Sequence, residues 1–129
     1  MFKNNQAQIL VVDDDTEVLK TLGKILSKRG YQGFPFESPL KALEFLKVKK
    51  VDLIIADLKM PEIDGIQFLD RVKRIHSETP VILITGFATV DTAVLAMEKG
   101  AFDYISKPFE LKKFYDVITH ALRMMKGAS

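Results

Sequence analysis

Three four-residue runs, Ile9-Leu10-Val11-Val12, Leu53-Ile54-Ile55-Ala56 and Val81-Ile82-Leu83-Ile84, are apolar without interruption. A strand with one wet face alternates apolar and polar residues, so uninterrupted runs of this length require cover on both faces, as in the centre of a parallel sheet. Extending the pattern gives strands at Ile9 to Val12, Tyr31 to Phe36, Asp52 to Ala56, Val81 to Thr85 and Phe102 to Ile105. Gly33 and Pro35 place the second at a sheet edge, because proline cannot donate to the ladder. Between the strands, Val18, Leu22, Ile25 and Leu26 recur at helical spacing, as do Leu40, Leu43 and Leu46, then Phe68, Leu69, Val72 and Ile75. Further helices are expected around Val90 to Met97 and Leu111 to Met125. Breakers punctuate the pattern: Gly30 and Gly100 close helices, Ser38-Pro39 and Asp64-Gly65 open them, and Glu110 offers an acid to a first turn.

Five strand-helix units with right-handed crossovers predict a doubly wound α/β three-layer sandwich. The expected sheet is five-stranded and parallel, of flavodoxin-like order 2-1-3-4-5. At 129 residues the chain has room for one such domain, expected over residues 8–126, with a short polar segment at 1–7 and a tail at 127–129. A composition of 47% hydrophobic and 28% charged residues supports a packed core and excludes the apolar-poor signature of disorder. The absence of cysteine removes disulfides, thiol catalysis and cysteine-ligated metals. No apolar stretch is long enough to span a bilayer and no signal-type h-region follows Met1, so a soluble, cytoplasmic protein without membrane contact is expected. The net charge of +2 is spread along the chain and gives no sign of direct nucleic-acid binding.

In a sheet of this kind the functional crevice lies beyond the carboxyl ends of the strands. Asp13, Asp14 and Asp15 follow the first run, Asp57 the third, Thr85-Gly86 end the fourth, and Ser106-Lys107-Pro108-Phe109 follow the fifth. Asp13, Asp14 and Asp57 would bring three carboxylates into one pocket, where repulsion must be offset by a cation or by raised pKa values. An all-oxygen donor set suits Mg²⁺. Lys107 and Thr85 would supply a positive charge and a hydroxyl for phosphoryl oxygens, leaving Asp57, at the end of a central strand, as the nucleophile. Other features have plainer readings. Asp15 is a turn former or helix N-cap, and His76 and His120 are surface residues without a second ligand at metal spacing. Lys112, Lys113, Arg123 and Lys126 form a solvated face of the last helix.

The motifs Val11-Val12-Asp13-Asp14-Asp15, Asp57-Leu58-Lys59-Met60-Pro61 with Asp64-Gly65, Thr85-Gly86 and Lys107-Pro108-Phe109 resemble, along nearly the whole chain, the receiver domain of two-component response regulators. The stretch from Gly100 to Phe109 is similar to receivers that precede AAA+ transcription activators and to related hybrid regulators. The resemblance implies that Asp57 accepts a phosphoryl group from the phosphohistidine of a sensor histidine kinase or a histidine phosphotransfer protein. It implies Mg²⁺ held by Asp14, Asp57 and the main-chain carbonyl of Lys59, with Asp13 acting through water. It further assigns Thr85 and Lys107 to the phosphoryl oxygens, Tyr104 to the switch aromatic, and a cis geometry to the Lys107-Pro108 bond. Lys59 and Phe87 would flank the site and tune hydrolysis. The face formed by the fourth helix, fifth strand and fifth helix would change on phosphorylation and is a possible homodimer surface. No turnover beyond self-phosphorylation and autodephosphorylation is implied. No output can be read from these residues, and it is expected in another protein, in a domain outside this chain, or in partner binding alone.

Three other readings fit less well. A haloacid-dehalogenase-like phosphatase needs Thr or Val where Glu17 stands, and space for a cap. A flavodoxin-like FMN carrier needs a Ser/Thr-rich phosphate loop after the first strand, where three acids would repel the phosphate. A degenerate receiver used only for docking would not need Asp14, Asp57, Thr85 and Lys107 intact.

Overall fold

The computed structural model describes the backbone of residues 7–127 and the side chains of residues 7–124. The segment 1–6, residues 128–129 and the side chain of Lys126 lie outside that range, and with them part of the expected terminal boundaries. The elements run β1 (Gln8–Val12), α1 (Thr16–Lys28), β2 (Gln32–Phe36), α2 (Pro39–Val48), β3 (Leu53–Asp57), α3 (Gly65–Ile75), β4 (Val81–Thr85), α4 (Val90–Glu98), β5 (Asp103–Ser106) and α5 (Leu111–Gly127). All four strand pairings are parallel and the order is β2-β1-β3-β4-β5. The expected fold is therefore the observed one, and β2, with Gly33 and Pro35, is an edge strand.

Period-two alternation sorts each central strand between two helical layers. Leu10, Val12, Ile54, Ala56 and Leu83 face α2, α3 and α4, packing with Leu46, Phe68 and Ala96. Ile9, Val11, Leu53, Ile55, Ile82 and Ile84 face α1 and α5, packing with Leu22, Leu26, Phe114 and Ile118. Burial of each large aliphatic side chain contributes about 1.5–3 kcal/mol, which explains why strands so short hold the centre of the fold.

The helices start where side chains can satisfy their free N–H groups. Asp15 accepts from the amides of Glu17 and Val18, and Ser38 accepts from Lys41 with Pro39 at the first helical position. Asp64 with Gln67, and Thr89 with Thr92, form reciprocal capping boxes. Gly30 and Gly100 leave α1 and α4 at φ of 78° and 99°, where a side chain would be strained.

Several details depart from the sequence reading. Asp57 belongs to β3 as its last residue, and β5 extends through Ser106. Glu110 precedes α5, its carbonyl accepting from the Phe114 amide, and contributes no acid to the first turn. His76 is a half-buried tether, not a free surface residue: its Nε2 lies 2.6 Å from the Leu46 carbonyl and joins the end of α3 to α2. Periodicity cannot reveal such a bond, because its partner is a main-chain atom 30 residues away. His120 is exposed as expected, its ring edge-on to Phe102. Lys112 pairs with Asp116 on the exposed face of α5, and the Lys107-Pro108 bond is cis.

Candidate functional site

Parallel register brings the site together. Val12 pairs with Ala56, so the next residues, Asp13 and Asp57, leave adjacent strands side by side at the carboxyl edge. Both are buried, at 1% and 7% exposure, while Asp14 is open to solvent. One carboxylate oxygen from each of Asp13, Asp14 and Asp57 can be chosen so that all three lie within 4.8 Å of one another. Lys107 closes the cluster, with its Nζ 3.2 Å from Asp13 Oδ2 and 3.3 Å from Asp57 Oδ1. The second oxygen of Asp13 accepts the Asp15 amide at 2.9 Å, so Asp13 is held from both sides.

The backbone fixes this arrangement. The Lys107 amide donates to the Thr85 carbonyl at 2.8 Å, and Leu58 donates to Ile84 at 3.0 Å. Thr85 is fully buried, and its hydroxyl oxygen accepts the Phe87 amide at 3.0 Å, which leaves the hydroxyl hydrogen available to a ligand. Gly65 passes so close to the acceptor strand that a Cβ there would stand 2.6 Å from the Asp57 carbonyl oxygen. Only glycine allows α3 to begin this near Asp57.

Lys59 sends its ammonium outward, 4.9 Å from the centroid of the exposed Phe87 ring, so of its two polar groups only the main chain remains for the acidic pocket. Tyr104 lies apart from the acids: half-buried on β5, it shares a hydroxyl–hydroxyl hydrogen bond with Thr92 of α4. Three residues with structural consequences escaped the sequence reading. Thr92 could have been read from the Thr-x-x-Thr spacing of its capping box, and Gly65 was seen as a helix opener and motif residue but not as a close neighbour of the Asp57 carbonyl. Glu62, in the loop after Asp57, carries no local signal.

Electrostatics follow the geometry. Burial pushes the Asp57 carboxyl above its usual range, and the nearby charges of Asp13 and Asp14 push the same way against the lowering effect of Lys107. Burial opposes the charged form of Lys107, but Asp13 and Asp57 outweigh it and raise its pKa. A pocket of close carboxylate oxygens that is short of positive charge suits a hard divalent cation.

The family model of the response regulator receiver domain matches residues 9–119. The chain is 37% identical over 95% of its length to the transcriptional regulatory protein GlrR of Escherichia coli (strain K12), and 35% identical over 88% to the DNA-binding transcriptional regulator NtrC of the same strain. It spans only 28% and 24% of those proteins. Among solved structures, the beryllofluoride-activated NtrC4 receiver domain dimer is similar with a TM-score of 0.88 and 36% identity, over 92% of this chain and 98% of that one. A CheY-like receiver domain protein from Methanospirillum hungatei JF-1 gives a TM-score of 0.92 at 26% identity, over 96% and 99% of the two chains. The chain thus belongs to the response regulator receiver domains of two-component signalling.

Proposed function

We propose that Asp57 is the phosphoryl acceptor of this receiver and that a sensor histidine kinase or histidine phosphotransfer protein is the donor. The observation that carries the proposal is the position of Asp57: it ends β3, shares a pocket with the Asp13 and Asp14 carboxylates, and lies 3.3 Å from the Lys107 ammonium. An Asp57 carboxylate oxygen would attack phosphorus in line as the P–N bond to the donor imidazole breaks, with the bonding pair leaving on nitrogen. The acyl phosphate formed on Asp57 would later be hydrolysed by water. Phosphoryl transfer asks the protein mainly for positioning and charge neutralisation. Lys107 would pair with one phosphoryl oxygen and the Thr85 hydroxyl would donate to another.

Asp14, Asp57 and the Lys59 main-chain carbonyl would hold Mg²⁺, with Asp13 supporting it through water. Bound there, the ion would neutralise charge on the phosphoryl group.

The new phosphoryl group adds about two negative charges to the pocket. Drawing Thr85 toward it would alter the β4–α4 connection, and Tyr104 with its Thr92 bond would carry the change to α4, β5 and α5. That face exposes Val90, Val94, Leu95 and Met97 on α4, an apolar surface suited to a second copy or a target protein. The effect on the two states must differ by a few kcal/mol to shift the population. Among the described residues no helix is long and apolar enough to cross a membrane. Neither membrane nor nucleic-acid contact is assigned to this chain.

The test is a beryllofluoride titration followed by amide NMR, with and without Mg²⁺. Saturable binding that needs Mg²⁺ and shifts residues of β4, α4 and β5 is expected. No binding under either condition would favour a domain used only for docking.

A further inference from the structure

The loop after Asp57 contains the only non-glycine residue with positive φ among the described residues, Glu62 at 72°. The Ile63 amide donates to the Pro61 carbonyl at 2.8 Å across it, which together with that φ marks the strained form of the γ-turn. An L-residue with a long side chain has no local compensation in this region, unlike Asn or Asp. The compensation is distant. Glu62 Oε1 accepts from the Ser38 hydroxyl at 2.8 Å and from the Leu40 amide at 3.3 Å, 24 and 22 residues earlier. The Leu40 amide lies in the first turn of α2, where N–H groups lack helical partners and the macrodipole favours negative charge. Ser38 Oγ already accepts from Lys41 at 3.1 Å, so its hydrogen is free for Glu62.

We propose that Glu62 is a positioning residue for the metal end of the site, pinning the loop that carries the Lys59 carbonyl onto the N-terminus of α2. This rests on the Mg²⁺ role proposed above for Lys59. The loop is clamped at its base, where Gly65 donates to the Leu58 carbonyl at 2.7 Å and Leu58 donates to Ile84 at 3.0 Å. Glu62 is the pin at its tip. Lys59 lies between the clamp and the pin, so the direction of its carbonyl depends on both.

Two variants separate this role from general stability. Glu62→Gly accepts the backbone angle without strain but removes the pin, whereas Glu62→Gln keeps an acceptor at the same place and removes the charge. Mg²⁺ affinity by calorimetry and melting temperature without Mg²⁺ are measured on both and on the parent. Glu62→Gly is expected to weaken Mg²⁺ binding about threefold to tenfold, below the effect of buried outer-shell partners because these contacts are exposed. Its melting temperature should be unchanged or higher, and Glu62→Gln should stay within about twofold of the parent. Parent-like affinity in Glu62→Gly would overturn the inference. An equal loss in Glu62→Gln would assign the effect to charge alone and overturn it too. A parent that binds no Mg²⁺ would overturn the metal role itself, and this inference with it, before any variant is compared.

Discussion

The Lys107 ammonium lies 3.2 Å from the Asp13 carboxylate, a contact that joins residues 94 positions apart. It also reaches Asp57, so one side chain occupies two of the three acids that a divalent cation would need. Lysine and metal therefore meet as like charges over shared carboxylates. Were Asp57 phosphorylated as proposed, the same ammonium would have a third acceptor to turn to, which suits it to a site that fills and empties.

Removing that ammonium has two opposite effects. Lys107→Ala should bind Mg²⁺ about tenfold more tightly, because a competing positive charge is gone. Without Mg²⁺ it should lose about 1–2 kcal/mol of stability, since Asp13 stays buried without its counter-ion; the figure is kept low because the Lys107 side chain is 25% exposed. Calorimetry and urea denaturation of the parent and variant check both signs.

The raised pKa of Asp57 makes a pH-dependent prediction. Its ionised form is less favourable in the folded than in the unfolded chain, so it costs stability above its folded pKa and the cost disappears as pH falls through that value. Asp57→Asn should therefore stabilise the metal-free protein at neutral pH by about 1 kcal/mol, with the gain shrinking as pH falls through the region just above the usual Asp range. Thermal melts across that pH range measure it, and a destabilised variant at neutral pH would contradict the electrostatic account.

Gly65→Ala would place a Cβ 2.6 Å from the Asp57 carbonyl and 2.8 Å from the Leu58 Cα, both main-chain atoms that cannot move alone. The expected loss is about 2 kcal/mol, with the β3–α3 loop displaced. The denaturation midpoint measures the first effect, and amide shifts at residues 57–64 measure the second.

The Tyr104–Thr92 hydrogen bond should appear as an energetic coupling. Tyr104→Phe and Thr92→Val together are expected to cost less than the sum of the two alone, by about 0.5–1 kcal/mol, in a double-mutant cycle of unfolding free energies. Additive costs would mean that the two hydroxyls do not act as a pair.

The fold was legible because its signals are local or periodic. Uninterrupted runs such as Ile9–Val12 state that both sheet faces are covered, and Pro35 marks an edge. The acids and Lys107 were legible for a topological reason: residues just past strand ends share one edge of a parallel sheet wherever they fall in the chain. Features that depend on side chain meeting distant main chain were not. His76 on the Leu46 carbonyl and Glu62 on the Leu40 amide leave no periodic trace, and the closeness of Gly65 to Asp57 is fixed only by how tightly the loop folds back. Tyr104 was singled out by resemblance, but its partner Thr92 was not, since the bond depends on how α4 is placed over β5.

The central claim is that Asp57 is the group that carries the phosphoryl. It is tested most directly by incubating the chain and its Asp57→Asn variant with acetyl phosphate, with and without Mg²⁺, and reading intact mass. The account predicts one phosphoryl adduct on the parent, dependent on Mg²⁺, and none on the variant. A full adduct on Asp57→Asn would contradict it.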